Sequence, residues 1–238
     1  MNNQTAIILG ATGLVGSHII QALQDEDAFT QVLALVRQPV QFDANKVQAL
    51  VIDFEKLLAK GGSKYFEKLV SSKITEVSHK TVLFSALGTT IKRAGSIEGQ
   101  RLVDVDMQYK VAQSCFQLGV RRLQLVSSSM AQAQAKSPYL KMKGELEDML
   151  KEFNWEQLTI VRPSLLLGER DHFRLGEKFG AVLMPLLGFI PGLRKYRPIH
   201  ASEVTARLIH EAKSWDANDV YKLNESQVQT FELSEVFL

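Results

Sequence analysis

Apolar residues occur along this chain in short consecutive runs, at positions 6–9, 32–36, 49–52, 81–84, 123–126 and 158–161. Gln124 apart, each run is apolar or β-branched at successive positions instead of alternate ones, the pattern of a strand buried on both faces. Between most of them lie stretches with helical periodicity, at 14–23, 102–118 and 139–153. Strands buried on both sides and alternating with helices predict a doubly wound α/β fold around a mostly parallel sheet. No internal repeat, low-complexity tract or Gly/Ser linker divides the chain, so one domain over 1–238 is expected. After Val161 the alternation weakens, and positions 168–197 hold five of the 15 glycines. That irregular region, within 164–238, is expected to shape a substrate pocket.

Composition narrows the function classes. The 28 Lys and Arg nearly balance the 26 Asp and Glu, for a formal charge of +2. No basic run or stripe stands out, so neither nucleic acid nor an anionic membrane is expected as a partner. Cys115 is the single cysteine, which excludes an intrachain disulfide and a cysteine zinc cage. The five histidines, His18, His79, His172, His200 and His210, show no ligand spacing, so no metal is expected. The longest uncharged apolar stretch, 179–193, contains Pro185 and Pro191 and is shorter than the roughly 20 residues of a spanning helix. It reads as a pocket wall or lid. The first ten residues lack the basic and long apolar regions of a secretory signal, and the expected location is the cytoplasm.

The first apolar run leads into Gly10-Ala11-Thr12-Gly13-Leu14-Val15-Gly16, at the point where a helix should begin. A turn this sharp needs a permissive backbone, a missing side chain lets N–H groups approach a pyrophosphate, and the last glycine lets helix and strand pack closely. The positive end of the helix then faces the phosphates. Strand before and helix after make this a dinucleotide-binding turn, although its spacing is GxxGxxG. The second run ends in Arg37, with no acidic residue until Asp43. A planar guanidinium there suits the 2′-phosphate of NADP, so NADP(H) is favoured over NAD(H). Asp53 after the third run, and Ser85-Ala86-Leu87-Gly88 after the fourth, lie at further strand ends where such sheets bind ligands. Asp53 would suit the adenine and the second turn the middle of the cofactor.

Tyr139 and Lys143 are four residues apart and share one helix face. The spacing alone is weak, because lysine is common. Its setting is stronger: Lys143 falls in a stripe running through Tyr139, Leu146, Leu150 and Phe153, where an apolar residue is expected. A cation turned inward is costly unless partnered. Upstream, the fifth run leads into Ser127-Ser128-Ser129. An ammonium beside a phenol favours the phenolate, which suits a tyrosine to proton transfer at a carbonyl or alcohol. A serine hydroxyl would hold the substrate oxygen and Lys143 the nicotinamide ribose.

These residues resemble the short-chain dehydrogenase/reductase superfamily of Rossmann-fold proteins, in its atypical branch, over nearly the whole chain. The match rests on the glycine-rich turn, the serines, Tyr139-Leu140-Lys141-Met142-Lys143, and Val161-Arg162-Pro163. Ser85-Ala86-Leu87-Gly88-Thr89-Thr90 and the Leu165-Leu166-Leu167 that follows Pro163 look like the Tat-interacting-protein-like subgroup and its bacterial relatives. The resemblance implies Tyr139 and Lys143 as catalytic residues, with Ser128 in the serine role by one alignment and Ser129 by another. It also implies Pro163 as the residue whose backbone packs beside the nicotinamide, and Pro198-Ile199-His200 as a segment closing the pocket. Asp106 stands where the family has an asparagine on the fourth helix, which departs from the usual proton relay. The segment after Pro163 is short beside the sugar-nucleotide enzymes, so a small substrate is expected.

The reading that follows is an NADP-dependent oxidoreductase acting on a small carbonyl or alcohol. Two others stay open: an NADPH-sensing binding protein, and an epimerase or isomerase with tightly held cofactor. The helices at 102–118 and 139–153 either form a dimer surface or cover the sheet, so monomer and homodimer are both expected forms.

Overall fold

The computed structural model describes residues 3–43, 45–74, 77–167, 197–214 and 227–238. Seven parallel strands form one sheet in the order β3-β2-β1-β4-β5-β6-β9: β1 (Gln4–Leu9), β2 (Phe29–Val36), β3 (Val47–Val51), β4 (Thr81–Ser85), β5 (Arg122–Val126), β6 (Gln157–Arg162) and β9 (Gln227–Glu232). The first six lie where the apolar runs predict them. Two short strands, β7 (Leu166–Leu167) and β8 (Ile199–His200), pair separately beyond the end of β6.

Both faces of the sheet are buried, which is why the runs are apolar at consecutive positions. Ile7, Leu9, Leu33, Leu35, Leu123 and Leu125 point into one core, covered by α2 (Phe54–Leu58), α3 (Gly62–Ser71), α6 (Gln108–Gln117) and α7 (Pro138–Lys151). The alternate residues, among them Ala6, Ile8, Val32, Ala34, Val82 and Phe84, point into the other. There α1 (Leu14–Gln24) and the helix Ala201–Ser214, here α8, pack on them. Two short helices, α4 (Ile91–Ala94) and α5 (Ile97–Arg101), lead into a π-helical turn, Leu102–Met107, before α6. The single helix expected over 102–118 is therefore α-helical only in its second part.

One large polar side chain is built into the sheet's N-terminal edge. Arg122 is fully buried and donates to Gln157 Oε1 at 3.3 Å, to Gln4 Oε1 at 3.2 Å and to the Ala212 carbonyl in the last turn of α8. Burial pushes its pKa down to about 9, with the Glu156 charge opposing. Supplied with these acceptors, a guanidinium keeps its proton at neutral pH, and a cation suits the negative end of a helix.

The strand order reverses between β1 and β4, since β2 and β3 lie to one side of β1 while β4, β5, β6 and β9 lie to the other. Sheets of this kind bind ligands in the crevice beyond the strand ends at such a reversal. The turns following β1 and β4 meet there: the Ala86 amide donates to the Leu9 carbonyl at 2.9 Å.

Candidate functional site

The glycine-rich turn has the geometry its sequence requires. Gly10 has a left-handed backbone, φ +86°, and a Cβ on it would lie 2.7 Å from the backbone of Ala86 and Leu87. At Gly16 a Cβ would lie 2.0 Å from the Gly10 carbonyl oxygen, so strand end and helix start touch only because both residues lack side chains. Gly13 caps α1 without a side-chain hydrogen bond, and the first turn, which includes Leu14 and Val15, carries no acidic residue. The helix amides and their positive dipole end are left for an anion. Thr12, on the turn itself, is exposed. These features fit a dinucleotide pyrophosphate.

The other expected cofactor residues divide. Arg37, just past β2, is exposed and has no hydrogen bond or ion pair among the described residues. Asp53 instead has local partners: its carboxylate caps α2 by accepting from the Lys56 amide at 3.1 Å, and it pairs with the Lys56 ammonium at 3.3 Å. That backbone hydrogen bond, foremost, lowers its pKa. The turn Ser85-Ala86-Leu87-Gly88 is braced from behind. Ser85 Oγ donates to Gln108 Oε1 at 2.8 Å, and Asp104, fully buried in the π turn, accepts from the Thr89 amide at 2.8 Å. Gln100 Nε2 reaches the Thr89 carbonyl and Asp104 Oδ2, both at 3.3 Å. Asp106, expected in place of the family's asparagine, is only half-buried. The bracing carboxylate is Asp104, two positions earlier. Gln100, Asp104 and Gln108, spaced by four, are the signal in the sequence that would have found this polar face.

Tyr139 and Lys143 sit one turn apart near the start of α7, whose first residue is Pro138, a favoured opening for a helix. Lys143 is 3% exposed, and its ammonium has no hydrogen bond or ion pair among the described residues. Tyr139 is 38% exposed. The buried stripe thus differs from the expected one. It runs through Met142, Lys143, Leu146, Glu147 and Leu150, and Tyr139 stands at its open end.

The three serines have separate surroundings. Ser127 is buried and donates from Oγ to Glu147 Oε1 at 2.5 Å. Ser128 makes only a long contact from Oγ to the Ser129 carbonyl, 3.4 Å, while the Ser129 amide donates to the Pro163 carbonyl at 2.9 Å. Both hydroxyls are half-buried. Glu147, which the sequence reading missed, is 1% exposed and receives Arg162 through Nε at 3.0 Å and Nη2 at 2.5 Å. It lies one turn beyond Lys143 and two beyond Tyr139, a spacing that could have shown it. Hydrogen bonds to both carboxylates, Glu147 first with its charge and then Glu232, raise the pKa of Arg162.

The loop from Ser127 to Ser137 lies hard against α7. The Gln132 amide donates to the Leu140 carbonyl at 3.1 Å, and a Cβ on Gly144 would lie 2.2 Å from the Gln132 carbonyl carbon. Between loop and helix opens a depression of about 470 Å³, bordered by Met130, Gln132, Lys136, Leu140 and Arg162 among others. Beyond it, Ile199 of β8 bonds to the Leu165 carbonyl at 2.9 Å, which places Pro198-Ile199-His200 beside the end of β6. The expected wall at 179–193, most of the irregular region 168–197, and His172 lie outside the described residues.

Comparison with known proteins agrees with this geometry. A family model described as NAD(P)H-binding matches residues 10–180. "Protein FMP52, mitochondrial" of Saccharomyces cerevisiae is 32% identical over 223 residues, covering 90% of this chain and 89% of that protein. Its namesake in Candida glabrata is 34% identical over 175 residues, 73% and 69% of the two chains. Among solved structures, MoeE5 in complex with UDP-glucose and NAD has TM-score 0.62 at 17% identity, covering 98% of this chain and 79% of that one. Thermoplasma acidophilum aldohexose dehydrogenase has TM-score 0.63 at 15% identity, covering 96% and 92%. At such identities these two speak for the fold. Two expectations are corrected. The relatives are FMP52 proteins and not the Tat-interacting-protein-like subgroup. Their mitochondrial names overturn the cytoplasmic expectation, which rested on lacking a secretory signal; that test does not separate cytoplasm from mitochondrion.

Proposed function

The chain belongs to the NAD(P)H-binding family, and from that premise we propose that it is an NADP-dependent oxidoreductase acting on a small carbonyl or alcohol. The observation that carries the reading is Lys143, buried, without a protein partner, and one turn from a tyrosine at the open end of the same helix face. A cation turned inward is costly unless partnered, and a ribose hydroxyl and a phenol are the partners this position would take. The cofactor, when bound, supplies or accepts the hydride at its nicotinamide.

The chain's own residues do the rest. The amides at the start of α1 and the backbone of Gly10, Gly13 and Gly16 hold the pyrophosphate, and Arg37 meets the 2′-phosphate. The braced turn Ser85-Ala86-Leu87-Gly88 would hold the middle of the cofactor, and the Pro163 backbone would pack beside its nicotinamide. Asp53 keeps its adenine role only while also capping α2. Ser128 or Ser129 donates a hydrogen bond to the substrate oxygen, and Tyr139 gives that oxygen its proton in reduction or removes it in oxidation. Ser127 is left out, because its hydroxyl already serves Glu147.

An NADPH-oxidation screen across aldehydes, ketones and quinones tests the reading, with Tyr139→Phe as control. Turnover should vanish in the variant while NADPH affinity holds, and undiminished turnover would sink the assignment. Titration with each reduced cofactor, followed by its own emission, tests Arg37. NADPH should bind more tightly than NADH, and Arg37→Ser should remove the difference; equal affinities in the unmodified protein refute the preference.

A further inference from the structure

Among the described residues, two that are not glycine adopt a left-handed backbone: Met130 at φ 63° and Leu233 at φ 55°. They are far apart in sequence, yet one hydrogen bond joins Met130 to the residue just before Leu233. The Met130 amide donates to Glu232 Oε1 at 2.9 Å, and Leu233 is the residue after Glu232. Such a backbone is unfavourable for any residue with a Cβ and persists only where its surroundings impose it; these positions cluster where a segment must be held for function.

The surroundings here are specific. The second oxygen of Glu232 accepts from Arg162 Nη1 at 3.2 Å, and Arg162 grips Glu147 on α7 with its other nitrogens. The Glu232 amide in turn donates to Glu235 Oε2 at 3.1 Å, which fixes the end of β9. One carboxylate on the last strand therefore ties the loop after β5 to the end of β6, and through Arg162 to the helix bearing Tyr139 and Lys143. What it holds is unusual. The Met130 side chain is 66% exposed and borders the depression that Arg162 and Leu140 also line. Its thioether arm gains little from burial, and because Met130 follows Ser129 directly, its backbone sets where that arm stands relative to this serine.

We propose that Glu232 is a positioning residue: it fixes Met130 so that this side chain forms an apolar rim, selecting carbonyl substrates that carry an alkyl or aryl group beside the reacting carbon. The proposal rests on the oxidoreductase reading above. Methionine suits the role, since its flexible, polarisable side chain adapts to varied apolar shapes.

The experiment measures KM and kcat for an aryl and a short-chain aldehyde, NADPH affinity, and amide exchange at 128–132. In Glu232→Ala, KM for the aryl aldehyde should rise about ten-fold, the scale set by releasing one strained residue, with a smaller rise for the short one and NADPH affinity retained. Exchange at the Met130 amide should accelerate. Glu232→Gln, which keeps an oxygen for that amide, should recover part of the KM. Met130→Gly alone, which removes the arm but keeps the Glu232 acceptor and takes this backbone freely, should retain slow exchange at that amide while the aryl preference is lost. If Glu232→Ala lowers kcat equally for both aldehydes at constant KM, or leaves exchange at 128–132 unaltered, the proposal is overturned. Equal NADPH oxidation by the unmodified protein and Tyr139→Phe marks failure of the oxidoreductase reading instead, and the proposal falls with its premise.

Discussion

Replacing Gly144 by alanine sets two physical rules against each other. Gly144 lies inside α7, where alanine for glycine is normally worth about 1 kcal/mol of added stability. The structure opposes this. A Cβ at Gly144 would lie 2.2 Å from the Gln132 carbonyl carbon and 2.3 Å from the Ala133 nitrogen, both backbone atoms that no rotamer change can remove. Ordinary carbon contacts begin near 3.5 Å, so the loop must retreat by more than about 1 Å. Overpacking of this kind costs typically about 1–3 kcal/mol, and the variant should therefore melt a few degrees lower, about 2–4 °C per kcal/mol for a chain this size. The loop that moves is the one carrying Ser128 and Ser129. A misplacement of about 1 Å in groups that orient a substrate can lower kcat/KM about 100-fold. Calorimetry and steady-state NADPH oxidation check both, and NADPH affinity should fall less than kcat/KM because the glycine-rich turn lies elsewhere. A higher melting temperature together with unchanged kcat/KM would refute the reasoning.

Gly10→Ala should abolish tight NADPH binding and destabilise the fold by about 1–3 kcal/mol, since both its left-handed backbone and its contact with Ala86 forbid a side chain; cofactor titration and thermal melts read the two effects. Glu147→Ala should cost about 1–3 kcal/mol, since Ser127 loses its acceptor and Arg162 keeps only Glu232, seen as a fall in urea midpoint. Glu147→Gln, which still offers one acceptor oxygen, should cost less. Cys115 is fully buried, and burial pushes its thiol pKa up, so it should resist iodoacetamide in the native protein at pH 8 and react once the protein is unfolded. Rapid native labelling would contradict that placement.

The first six strands were legible because a strand covered on both faces carries apolar residues in succession, and few other structures require that. The last strand was not. Gln227–Glu232, QVQTFE, lies at the sheet edge, where polar residues are tolerated, so its pattern does not distinguish it from a loop. Chemistry followed the same division. Gly10, Gly16, Tyr139 and Lys143 sit at spacings set by one local element, a turn or a helical repeat. Glu147, Arg162, Glu232 and Met130 act on one another across four separate elements, and no spacing in the chain records that they meet. Asp53 shows the reverse case: its position at a strand end fitted an adenine contact, while a capping interaction three residues away was equally available to it.

Strand β9 pairs with β6 although a long stretch of chain separates them. During synthesis, residues 4–162, with the glycine-rich turn and the helix bearing Tyr139 and Lys143, leave the ribosome before Glu232 does. A nascent chain can thus shape its nucleotide cradle early, while the contact that locks Met130 waits for the arrival of β9. Long-range pairings of this sort close late in folding. A chain cut short before Glu232 would therefore keep its glycine-rich turn, yet leave Arg162 with Glu147 alone and the Met130 amide without its acceptor.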